Sequence, residues 1–263
     1  MPGYFTHLYF ADRIISRLPT GSASVVDLYP DAYKLGALGA DVFDDVGRLH
    51  AEMDVTSAYD LFNECGAYIY TTGLKTQLSY CLGMLTHYVL DSRLTPYVMY
   101  LVENGAPHYY DDERTVLTKQ EIVAGIDYYV ARAYMNENFD KLTDINAKKI
   151  VADDIADLYK NAIFHSVRHS IDPDKIIRSL NALDLSEKKP VDMLNVDYMN
   201  TREREWATVR NGEWKTSMSI DAFFDKIEPI VLKLLEDFMA RARSSVELNK
   251  KAFVVSFTGI INK

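Results

Sequence analysis

In the stretch LGMLTHYVLDSRLTPYV, residues 82–98, His87 and Asp91 interrupt what otherwise reads as a buried helix. Four residues apart, they share one helix face, one turn above the other. A carboxylate in that setting costs several kcal/mol, about the penalty of an uncompensated buried charge, unless something positive meets it. Three more donors, His7, Asp41 and His50, stand in other apolar or Gly-rich surroundings, and together the five offer the nitrogen and oxygen atoms that suit zinc. A divalent cation would meet the charge of Asp91, and a buried salt bridge to Arg or Lys would meet it equally well. Spacing leaves both open. Of the other three histidines, His165 and His169 stand at i,i+4 without the Glu of a metalloprotease motif and read as a solvated helix face, while His108 pairs in spacing with Asp112.

The elements that must position these groups are helical. Periodicity predicts helices over 5–18, 54–70 with Asp54 as its cap, 76–92, a shorter one opening at Pro96, 118–135, 146–167, 172–183 with Asp172 before Pro173, and 219–248 kinked or interrupted at Pro229. Only the tail AFVVSFTGI, 252–260, resembles a strand. The fold class is therefore all-α. Two stretches, 102–116 and 184–217, read as irregular, and the second is long enough to wrap the surface or border a site. No repeat or linker divides the 263 residues, so one helical domain is expected over 1–263.

Composition narrows the function. With 48% apolar and 25% charged residues the chain is an ordinary globular protein, and a net charge of −9 disfavours nucleic acid and anionic membrane as partners. Two cysteines, Cys65 and Cys81, make no disulfide framework and read as small buried apolar residues. No secretory signal and no run of about 18 apolar residues is visible, which places the expectation in the cytoplasm. The 18 tyrosines do not decide oligomeric state.

The segments MPGYFTHLYFADRII, LGALGADVF, GRLHAEM, LGMLTHYVLDSRLTPYVMY and EIVAGIDYY resemble, in order, those of the bacterial zinc-dependent phospholipase C family, and MLNVDY and SMSIDAFFDKIEPIVLKLLEDF resemble its closing segments. The resemblance implies a compact all-helical domain that holds zinc in a cleft and hydrolyses phosphodiesters. It implies one zinc within Asp41, His50, His87 and Asp91, and another held by His7, Asp91 and the chain's terminal amine, which would be that of Pro2 if Met1 were removed. Asp41 would also take the proton of the attacking water. Three positions depart from the family pattern: Thr95 stands where a His is expected, and Lys119 and Val123 precede Asp127 where His and Glu are expected. All three fall on the ligands of a third zinc. The expectation is a phosphoester hydrolase with two zinc ions rather than three, acting on a phosphate-ester small molecule or lipid headgroup. Lys119 would supply a fixed positive charge near a phosphate oxygen and Thr95 would face the substrate; His108 and Asp112 are weaker substitute ligands. The alternative is a helical binding protein that kept the fold and lost catalysis. A phosphohydrolase of the adjacent His-Asp type is excluded, since no such pair occurs in the chain.

Overall fold

The computed structural model describes residues 3–43, 46, 48–111, 113–134, 143–145, 149–167, 170–185, 195–210 and 214–261. It is mostly helical, in agreement with the expected class: α1 (Tyr4–Ile15), α2 (Thr20–Leu28), α3 (Pro30–Leu38), α4 (Leu49–Val55), α5 (Ala58–Thr72), α6 (Lys75–Asn104), α7 (Lys119–Tyr134), α8 (Lys149–Leu158), α9 (Pro173–Ala182) and α10 (Ile220–Arg241). Past α8 the helical path continues through a π turn, Tyr159–Ile163, into a last turn at Phe164–Val167. Two short antiparallel hairpins, β1 (Ala106–Pro107) with β2 (Arg114–Thr115) and β3 (Trp206–Ala207) with β4 (Lys215–Thr216), lie in the stretches read as irregular.

Helix α6 is the axis of the molecule. It is buried on nearly every side from Thr76 to Leu101, the pattern of a helix enclosed by others rather than laid on a surface. The sequence reading divided it at Pro96, yet the helix runs through. Proline removes one backbone donor and crowds the preceding turn. The tail fills that place: a Cβ on Gly259, whose φ is +75°, would press on both the Pro96 ring and the Ser92 carbonyl. Pro229 likewise sits inside α10 without ending it, and that helix stops at Arg241 rather than 248. The tail itself is extended but not a strand. Phe253, Val255 and Phe257 turn inward, Phe253 and Phe257 against Phe62, and the only pairing described there is an isolated bridge from Val255 to Ile261.

Helices α2, α3 and α4 have no counterpart in the sequence reading. Pro30 opens α3 at its first turn, where a missing N–H costs nothing. Gly36 disguises it. A Cβ at Gly36 would collide with the Tyr80 carbonyl, and one at Gly83 with the Tyr33 carbonyl, so α3 and α6 meet backbone to backbone through reciprocal glycines. Asp54 is not the cap of α5; it belongs to the last turn of α4, and Ser57 caps α5 by accepting from Asp60 N at 3.3 Å. At Asp172 the cap reading holds, since its carboxylate accepts from Asp174 N at 3.0 Å. Cys65 and Cys81 are buried and unbridged, as small apolar residues would be. Among the described residues no helix is long and apolar enough to cross a membrane.

Candidate metal centre

The close crossing of α3 over α6 sets the geometry of the site. It brings the Ala37 carbonyl to 3.0 Å from His87 Nδ1, which donates to it. That bond fixes the ring and turns Nε2 inward, as the partner of a ligating histidine does. The next glycine, Gly39 at φ +65°, lies against the His87 ring where any Cβ would collide with it, and the short 3₁₀ turn Gly39–Val42 then delivers Asp41. Tyr4 of α1 donates its hydroxyl to the Asp41 carbonyl at 3.0 Å.

His87 Nε2 stands 3.1 Å from Asp91 Oδ2, and His7 Nε2 of α1 stands 3.1 Å from Asp91 Oδ1. The two imidazoles stack with centroids 4.2 Å apart, and donor atoms of His7, His87 and Asp91 all lie within 4.8 Å of one another. The spacing argument thus extends to a third residue from a separate helix. Among the described residues neither oxygen of Asp91 and neither nitrogen of His7 finds a hydrogen-bond partner. The two contacts at 3.1 Å gather both imidazoles about one carboxylate.

Other buried carboxylates behave differently. Glu228 is met by Arg13 Nε at 3.0 Å and by the Arg17 guanidinium, and Asp197 by Arg204 Nη1 at 3.1 Å and the backbone N–H of Thr201 and Arg202. Asp127 accepts from Phe5 N at 3.2 Å, Thr6 N at 3.0 Å and Thr6 Oγ1 at 2.5 Å, closing the open first turn of α1 from α7. Among the described residues Asp91 has no arginine or lysine at ion-pair distance. The salt-bridge reading of Asp91 therefore finds no partner.

Electrostatics follow from burial. Burial drives the His7 imidazole down to about 4, with His87 adding to the effect. For His87 burial works the same way but Asp91 outweighs it, lifting the ring to about 9. The His87 and His7 charges hold the Asp91 carboxyl well below the usual range in spite of burial. Without a cation, then, one proton on His87 answers Asp91. Burial pushes Asp41 up to about 7, His87 and His50 opposing it and Asp91 reinforcing it.

Asp41 and His50 stand beside this cluster rather than in it. His50 Nε2 lies 3.5 Å from Asp41 Oδ1, an oxygen that is buried without a hydrogen bond. It also lies 3.8 Å from Asp54 Oδ2, one turn along α4. Asp41, His50, Asp54 and His87 line a small cavity of about 10 Å³, the space of a single water or bare ion. Burial raises the Asp54 carboxyl, while the charges of His50 and Lys119 lower it. Sequence reasoning missed Asp54 by treating it as a cap; its i,i+4 spacing from His50 repeats that of His87 and Asp91 and was the available signal.

The positions of the third set also resolve. Thr95 is buried one turn past Asp91, with an Oγ1 that makes no hydrogen bond, whereas Thr86 in the same helix bonds back to the Leu82 carbonyl at 3.0 Å. Lys119 is exposed on the first turn of α7, and Val123 packs half-buried against the core. His108 is engaged by Thr115 Oγ1 at 2.8 Å and Asp111 Oδ1 at 3.2 Å; with Asp111 and Glu113 it forms an exposed acidic group. His165 lies against the Phe164 ring. Asp112, His169 and the terminal amine fall outside the described residues.

Residues 6–93 match the family model of zinc dependent phospholipase C. The match holds His7, Asp41, His50, His87 and Asp91, and it ends two residues before Thr95, so the segments after Arg93 that resemble the family lie outside it. No curated protein and no solved structure matches the chain.

Proposed function

We propose that the protein is a zinc-dependent phosphoric ester hydrolase of the phospholipase C type, working on phosphodiesters with two cation positions rather than three. One observation carries the reading: among the described residues a fully buried carboxylate, Asp91, accepts no hydrogen bond and meets no guanidinium or lysine ammonium, yet two histidine Nε2 atoms converge on it at 3.1 Å. A bound cation would take the place of the single His87 proton that answers this carboxylate in the cation-free protein. Two imidazoles and a carboxylate are the donor set of many catalytic zinc sites, which keep a further position open.

His7, His87 and Asp91 would hold the ion, with the Ala37 carbonyl fixing the His87 tautomer. Zinc there would lower the pKa of water and offset negative charge gathering on phosphoryl oxygens. Asp41, whose side chain borders the adjoining cavity, takes the proton of the attacking water as the new P–O bond forms, and the proton is then available to the departing alkoxide as its P–O bond breaks. Lys119 and the free Thr95 hydroxyl supply a cation and a donor for phosphoryl oxygens in place of the third metal set.

The purified protein loaded with ZnCl₂ is expected to hold zinc tightly and to hydrolyse a chromogenic phosphodiester, with His87→Ala lowering kcat/KM at least 100-fold. Val123, apolar where the resemblance implies a Glu ligand, favours a second reading, a helical binding protein that kept the fold but lost the full metal cluster and catalysis. Zinc uptake without hydrolysis selects that reading in its metal-stabilised form; no uptake at all removes the enzyme and leaves the metal-free form.

A further inference from the structure

The two histidines of the cluster are held in different ways. His87 is fixed at its ring, where Nδ1 donates to the Ala37 carbonyl at 3.0 Å. His7 approaches Asp91 at 3.1 Å, but among the described residues neither of its ring nitrogens has a hydrogen-bond partner. With no outer partner to orient the ring, the place of His7 is set by its backbone.

That backbone is the first turn of α1, and the turn does not cap itself. Gly3 at the N-cap offers no side chain, and no acidic residue stands in the first turn. Asp127, buried on α7, supplies both from outside. Its Oδ1 accepts from Thr6 N at 3.0 Å and Thr6 Oγ1 at 2.5 Å, and its Oδ2 accepts from Phe5 N at 3.2 Å. The backbone groups are open donors of a helix start, where negative charge is also favoured. A Cβ on Gly3 would collide with the same carboxylate, so the turn sits directly against it. His7 N donates to the Gly3 carbonyl at 3.1 Å, which makes the turn gripped by Asp127 the one that His7 closes.

Resting on the zinc reading above, we propose that Asp127 is a positioning residue for the metal: acting through Thr6 and the first turn of α1, it holds His7 at the ligand position beside His87 and Asp91. With both oxygens engaged by α1, the carboxylate serves the cation through geometry rather than as a ligand. Helix α7 then does for His7 what the Ala37 carbonyl of α3 does for His87. Released from Asp127, the first turn would regain unmet donors and loosen, carrying its last residue away from Asp91.

The test is a thermodynamic cycle in zinc affinity, measured on the full chain by chelator competition and read on the zinc that His7→Ala weakens. Co(II) in place of zinc reports the ligand geometry through its visible absorption. Asp127→Ala is expected to weaken zinc binding about 10-fold or more, the usual effect of losing an outer partner, and to alter the Co(II) spectrum. Acting through His7, the loss should vanish on a His7→Ala background, the double variant binding within about twofold of His7→Ala alone. Asp127→Asn, which keeps one acceptor oxygen for Thr6, should recover part of the affinity. Asp197→Asn removes a buried carboxylate bonded to Thr201 and Arg204 and is the control for stability alone; it should lower the melting temperature and leave zinc affinity and the Co(II) spectrum unchanged. Should Asp127→Ala fail to fold, Thr6→Val removes the hydroxyl bond alone and should weaken zinc in the same direction through the same cycle. Affinity of Asp127→Ala, or of Thr6→Val in its place, within about twofold of wild type would overturn the assignment, as would a loss that persists in full on the His7→Ala background. Either result leaves the zinc reading intact. Wild type that binds neither zinc nor Co(II) would take both away.

Discussion

At the scale of single residues the site is a problem in charge. In the cation-free protein a proton shared toward His87 answers Asp91, and the His7 ring stays neutral because burial and the neighbouring imidazole disfavour a second positive charge. This is the arrangement a zinc ion would replace, since the ligating form of histidine is neutral. Under the proposed function Lys119 supplies the outermost charge. Lys119→Ala is expected to lower kcat/KM for a phosphodiester about 10-fold, roughly 1.4 kcal/mol of transition-state stabilisation, with zinc content unchanged. Unaltered kinetics would assign Lys119 to a solvated helix face. The pair His87 and Asp91 was legible from spacing alone because both lie on one helix. His7 could not be joined to them that way, since its approach depends on how α1 crosses α6; its donor type made it a candidate, and the family resemblance set it beside Asp91. Asp54 was hidden for another reason: Asp before a helix is so common a cap that its place beside His50 went unread.

At the scale of elements, positioning comes from contacts that tolerate no added atom. The α3–α6 crossing through Gly36 and Gly83 places both the Ala37 carbonyl and Asp41, so it links core packing to the site. Gly36→Ala should lower stability by about 3 kcal/mol or more, read from urea denaturation, because backbone lies in the path and cannot move aside. A change below about 0.5 kcal/mol would show that the helices separate easily. Helix α1 is held from α7 by Asp127, whose carboxyl burial raises to about 6 against its hydrogen bonds from Thr6 and Phe5. A carboxyl raised above its unfolded value near 3.9 binds its proton more tightly in the folded state. That contribution is present below about pH 4 and is lost as pH rises through about 6, on the order of 1–3 kcal/mol. The stability difference between wild type and Asp127→Asn should therefore shift against wild type across that window; a constant difference contradicts the assignment. The elements missed from sequence, α2 to α4, were those whose glycines and prolines read as breaks. At Gly36 the glycine serves a close approach inside a helix, and only the partner helix reveals it.

At the scale of the whole molecule, one enclosed helix carries the most polar part of the site through the centre of the core. Periodicity made the all-helical class legible because amphipathic helices such as α1, α8 and α10 announce themselves, whereas α6 is apolar nearly all round and its length was misjudged at Pro96. A buried charge in the central helix ties metal binding to global stability. Zinc at about 100 times its dissociation constant should add about 2.7 kcal/mol, raising the melting temperature by several degrees, and a chelator should reverse the change. The match to the zinc dependent phospholipase C model over residues 6–93 holds His7, Asp41, His50, His87 and Asp91, and Thr95, Lys119 and Val123 lie beyond it. The most direct measurement is anomalous diffraction at the zinc edge from crystals grown with ZnCl₂. The account predicts a peak at about 2.0–2.2 Å from His7 Nε2, His87 Nε2 and an Asp91 oxygen. A map from fully zinc-soaked crystals with no peak there, and with Asp91 paired instead to a protonated His87, would contradict it.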